Sequence, residues 1–158
     1  MEPFEVIDVS ADVGIRAYGE TMEDLFTNAA TGMYSLITDR EGVMEQRKII
    51  VNAESPSMEG LLVSWLNELI FHFDTYGFVG KKIVTVELSP SPVRSPLGEG
   101  SGQSQGSAPA YTLKGAVSGE DFDPERHERK LLLKAATYHM LKIEKRDGKW
   151  MTEVIFDI

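Results

Sequence analysis

With 158 residues, 42% of them apolar and 26% charged, the chain can bury a proper core and has the balance of a globular rather than a disordered protein. It has no cysteine, which excludes disulfides, thiolate zinc sites and cysteine nucleophiles. A net charge of −9 argues against binding a phosphate backbone and suits a basic protein partner or cations, although it also serves solubility alone.

Taken in chain order, "FEVIDVSADVGIRAYGE" predicts two short strands, about 4–8 and 13–18, around a turn at Val9–Asp12. "ETMEDLFTNAATGMYSLIT" predicts a helix, with Leu25, Phe26, Ala29, Met33, Leu36 and Ile37 at helical spacing and Thr21 as its cap. "QRKIIVNAE" predicts a strand. A second helix follows, with Leu61, Leu62, Trp65, Leu66, Leu69, Ile70 and Phe73 in one wide apolar stripe. Glu59, Asn67, Glu68 and His72 interrupt that helix, so it is not expected to span a membrane. No N-terminal charged, apolar and small-residue series points to secretion, and a cytoplasmic protein is the simplest expectation.

"KKIVTVELS" and "YTLKGAVSGE" predict two more strands. Between them, residues 89–110 are almost all Ser, Pro, Gly and Gln, which reads as a flexible loop joining neighbouring strands within one domain, 1–158. "EDFDPERHE" reads as a charged, solvated connection around Pro124. The basic residues from Arg126 to Lys149 are interspersed with acids, the pattern of a solvated sheet face. Asp147-Gly148 between two strand-like runs predicts a hairpin with a two-residue type I′ turn. The register then sets Arg146 opposite Lys149 and Ile143 opposite Thr152. Continued, it pairs Leu141 with Val154 and His139 with Phe156 on one face, and Lys142 with Glu153, Met140 with Ile155 and Tyr138 with Asp157 on the other.

The three histidines show no zinc-type spacing, and His139 is expected on the core face. No nucleophile elbow or phosphate-binding glycine loop is present. Carboxylates remain. Asp8 and Asp12 flank a turn, where they also read as ordinary turn and capping residues. Asp157, expected to point away from the face that carries Val154, Phe156 and Ile158, and the terminal carboxylate of Ile158 stand at the far end. If the first strand and the last were neighbours, these oxygens would converge on a site for Ca²⁺, Mg²⁺ or Mn²⁺.

"FEVIDVSADVGIRAYGETMEDLFTNAATGMYSLITD", "LLVSWLNELIFHFDT", "FDPERHE", "KAATYHMLKIEK" and "EVIFDI" together resemble the archease family, over the whole chain except roughly 89–110. The resemblance implies a small α+β domain with a large mixed sheet, two helices and the C-terminal hairpin. It implies a protein cofactor rather than an enzyme, one that promotes guanylylation and repeated turnover of the GTP-dependent tRNA-splicing RNA ligase. The family metal site falls on Asp12, Asp157 and Ile158 through its terminal carboxylate, with a divalent cation, Ca²⁺ first and Mg²⁺ or Mn²⁺ as alternatives. The family usually reads Asp-His-Thr-Ala-Asp where this chain has "DVSAD", so Val9 replaces a histidine, and 89–110 is an insertion. The competing expectations are a general chaperone or scaffold for RNA-processing proteins and a metal-dependent hydrolase on the same carboxylates. The hydrolase lacks an identifiable general base or substrate pocket.

Overall fold

The computed structural model describes residues 3–9, 12–90 and 111–158. Most of the 89–110 insertion therefore lies outside the described residues. Eight strands run β1 (Phe4–Val9), β2 (Asp12–Gly19), β3 (Arg47–Ser55), β4 (Phe78–Pro90), β5 (Tyr111–Asp121), β6 (Ala135–Ala136), β7 (Ile143–Arg146) and β8 (Lys149–Asp157). The helices are α1 (Met22–Ile37) and α2 (Met58–Tyr76). The expected α+β class, both helices and the terminal hairpin are present. The strands divide into two antiparallel sheets instead of one large mixed sheet: β1-β2-β8-β6 with β7 also on β8, and β3-β5-β4. The insertion does join neighbouring strands, since Pro90 and Tyr111 are themselves a pair.

Both helices start where side chains can satisfy their free N–H groups. Thr21 Oγ1 accepts from Asp24 N at 3.0 Å, and Ser57 Oγ accepts from Gly60 N at 3.0 Å. The six apolar positions expected to face inward on α1 are all buried. On α2 the stripe is buried through Ile70, while Phe73 packs half-buried at its edge. Trp65 is the hub: it is fully buried, and its Nε1–H donates to Phe26 O at 3.0 Å, tying α2 to α1.

The chain crosses from the three-stranded to the five-stranded sheet through residues 122–134. Lys130 N and Leu131 N donate to Ile37 O and Leu36 O, each at 3.0 Å, so this connection satisfies the last carbonyls of α1. Its root is a buried carboxylate where a solvated loop was expected. Glu120 accepts from both Arg126 guanidinium nitrogens and from Met44 N. His127 is buried as well. Its Nδ1 accepts from Asp123 N at 2.8 Å, which leaves Nε2–H to donate to Glu120 at 2.9 Å.

Arg126, opposed by burial and helped by Met44 N–H and His127, holds the Glu120 carboxyl down at about 2, against an ordinary 4.5. A depressed folded-state value stabilises the fold fully above about pH 4.5, and the contribution fades as pH falls from there toward 2. Glu120→Gln is therefore expected to flatten the acid limb of stability in that window, measured by denaturant unfolding at a series of pH values.

The terminal hairpin forms as expected only near its turn. Asp147 (φ 49°) and Gly148 (φ 79°) adopt the left-handed pair that a type I′ turn requires, and Ile143–Arg146 pair with Lys149–Thr152 in the expected register. Beyond Ile143 the register breaks. Phe156 pairs with Ala136 rather than His139, an offset of three residues, and Asp157 pairs with Ala135 rather than Tyr138. The expected pairs of Leu141, Met140 and Lys142 with Val154, Ile155 and Glu153 are likewise absent from the ladder. Residues 137–142 instead form a strap, in which Thr137 N and Oγ1 both bond Ile155 O at 2.9 Å and Met140 sits at φ 54°. His139, expected on the core face, is exposed.

Candidate functional site

The expected site residues lie where β2 meets β8. The first strand is not the neighbour of the last: β2 stands between them, and it supplies Asp12. Val13 and Phe156 are the last pair of the β2–β8 ladder, and Asp12 and Asp157 are the residues that come next on either strand. Alternation decides their direction. Val13, Ile15, Val154 and Phe156 fill the core, whereas Asp12 and Asp157 share the outer face with Arg16 and Glu153, which are bonded at 2.6 Å. Asp157 is exposed, as expected, and Asp12 half-exposed. Ile158 follows directly and is exposed. Asp8 pairs with Val13, which sets it on the opposite face from Asp12 and removes it from the group.

Neither carboxylate has a hydrogen bond or an ion pair among the described residues. Two like charges that follow one ladder pair repel, and such a pair is relieved by a cation. Oxygen donors of this kind suit hard divalent ions. Among the described residues, no group of three His, Cys, Asp or Glu side chains could hold a metal. A cation placed here would meet two carboxylate side chains at most among the described residues.

The sequence reading missed three supports. Gly14, in "ADVG", adjoins Asp12 on the same face, and a Cβ there would lie 2.7 Å from Val154 O and 2.9 Å from Ile155 Cδ1. Lys134 N donates to Asp157 O at 2.8 Å, so the end of β8 is held on its other edge. Asn67 was legible only as an interruption of an apolar helix face. Its amide clasps the short strand β6, accepting from Ala136 N at 2.8 Å and donating to Ala136 O at 3.3 Å. Asn67→Ala should cost about 1–3 kcal/mol through these lost bonds, read from urea unfolding, with the 134–137 amides exchanging faster.

The family model described as "Archease protein family (MTH1598/TM1083)" matches residues 4–158. The chain belongs to the archease family. It is similar to a protein archease from Methanosarcina mazei, 35% identical over 98% of this chain and 95% of that one. It is also similar to a protein archease from Pyrococcus furiosus, 36% identical over the full length of both. Among solved structures, the solution structure of protein 1598 from Methanobacterium thermoautotrophicum has a TM-score of 0.77, with 32% identity and full coverage of both chains. An archease crystal structure from Thermotoga maritima, described there as a possible chaperone, has a TM-score of 0.58. It is 18% identical over 98% of this chain and 96% of that one, and it speaks to the archease fold alone.

Proposed function

We propose that this protein is a cytoplasmic protein cofactor of the GTP-dependent tRNA-splicing RNA ligase, promoting ligase guanylylation and multiple turnover through a divalent cation held by Asp12 and Asp157. One observation carries the reading. The β2–β8 ladder ends at Val13 and Phe156, so these two carboxylates, far apart in sequence, directly follow its last pair on an outer face, and neither has an ion pair among the described residues. Ile158 would add its terminal carboxylate as the third donor. Bound there, Ca²⁺, Mg²⁺ or Mn²⁺ would supply positive charge for phosphate oxygens at the partner's active site. The chain's own residues position that charge: Gly14 lets β2 close on β8, and β6, clasped by Asn67, closes the other side.

The test is ligation of excess RNA by the purified ligase, with and without this protein. Many turnovers are expected with it and about one without. A general chaperone would instead suppress aggregation of unrelated proteins and leave turnover unchanged, and that result would sink the proposal.

A further inference from the structure

The two edges of the three-stranded sheet are built differently. β4 is irregular: its register on β5 shifts twice, between Gly80 and Lys82 and between Ile83 and Thr85. Arg40 donates to Lys81 O on that strand at 2.7 Å, and Pro90 ends it without an N–H. Bulges, prolines and covering groups keep an edge strand from pairing with another chain. β3 has no bulge and no proline. Its nine residues, long for a strand, hold one unbroken register on β5. Among the described residues nothing else bonds its backbone. Alternate N–H and C=O groups of an antiparallel edge strand point away from its one neighbour, so this side of β3 is a row of free donors and acceptors.

The side chains of β3 are complementary to themselves. Val51 is buried, Ile49 and Ala53 are half-buried at the margin of the core, and Lys48, Ile50, Asn52 and Glu54 lie exposed on the outer face. Across its own ladder Lys48 faces Ser118 and Glu54 faces Thr112, and neither charge has an ion pair among the described residues. Turned end for end about Val51, the strand sets Lys48 against Glu54 of a second copy, twice by symmetry, and Ile50 against Asn52. On the inner face Val51 then meets Val51, and Ile49 meets Ala53, which covers side chains that one chain leaves half-buried. Moving the axis to Ile50 loses both charge pairs, and moving it to Asn52 sets Ile50 against Glu54. The Val51 axis also pairs like faces, so both α2 helices stay on one side of the joined sheet.

We infer that this protein forms a two-fold dimer through its β3 edges, joining two three-stranded sheets into one continuous antiparallel sheet. The inference goes beyond the ligase reading and does not depend on it, since Asp12 and Asp157 belong to the other sheet. Every charge the dimer uses is one this chain carries. Backbone hydrogen bonds supply its affinity, and the Lys48–Glu54 pairs fix its register.

Sedimentation equilibrium over a concentration series is expected to show wild type passing from monomer to dimer. Lys48→Glu and Glu54→Lys each set like charges opposite one another at two places and should weaken the dimer about tenfold. The double variant exchanges the two charges and should restore it, a pattern that a role within one chain would not give. Because the chain has no cysteine, an introduced thiol reports the register. Opposite residues have Cα atoms about 4.5–5.5 Å apart, within disulfide reach, whereas diagonal ones are about 7–8 Å apart, beyond it. Under mild oxidation a mixture of Ile50→Cys and Asn52→Cys chains should therefore crosslink, and either variant alone should not. A wild type that stays monomeric at every concentration overturns the inference, as does a dimer that both single charge reversals leave intact. Crosslinking of Ile50→Cys to itself would move the axis off Val51 and overturn the register on which the inference rests.

Discussion

Trp65→Ala is expected to destabilise the fold by about 3–5 kcal/mol, the usual cost of deleting a large buried aromatic. The indole is fully buried and stands over the backbone of Gly115 in β5, where an added Cβ would come within 2.6 Å of the ring. Its removal opens a cavity at the junction of both helices and the three-stranded sheet. It also leaves Phe26 O without the indole N–H, so an apolar and a polar loss fall together. Urea unfolding should show a lower midpoint at a similar slope. A loss under about 1 kcal/mol would mean that the site collapses around the smaller side chain and that Trp65 is not the hub.

Gly14→Val should have the largest effect on the site for a residue that carries no donor. The added Cβ would meet Val154 O at 2.7 Å, Ile155 Cδ1 at 2.9 Å and Ile7 Cγ1 at 3.2 Å. The nearest of these is backbone, which cannot rotate away. The strain, about 1–3 kcal/mol for an overpacked position, is relieved by moving β2 off β8 beside the ladder's last pair, Val13 and Phe156, which Asp12 and Asp157 directly follow. Divalent-cation binding should fall along with stability, with Gly14→Ala intermediate in both. Unchanged cation binding in a destabilised Gly14→Val protein would show that the two carboxylates do not depend on this close approach.

What was legible in the sequence is what local pattern determines. The helix stripes, the Thr21 cap and the Asp147-Gly148 turn each need only a few neighbouring residues, and each is found in place. The strap was not legible, because "TYHMLK" alternates as a strand would. The contacts that break it, from Thr137 to Ile155 and from Asn67 to Ala136, span 18 and 69 residues. Lys142 was assigned Glu153 by local register, yet Arg16, 137 residues away, takes that carboxylate. Glu120 and His127 sit in a stretch whose composition is that of a solvated loop, and only the folded chain shows them buried. The carboxylate pair was legible as residue types and through the family resemblance. Its geometry waited on the finding that β2, not β1, lies beside β8.

The most direct measurement is the rate of covalent GMP attachment to the purified ligase, with wild-type protein and with Asp12→Asn and Asp157→Asn at matched, saturating concentration. Both substitutions remove one charge at an outer-face position and should leave the fold intact, which a melting curve checks. The account predicts rapid guanylylation with wild type and a return to the ligase-alone rate with either variant. Folded variants that accelerate guanylylation as wild type does would contradict it, because the paired carboxylates would then have no part in the function.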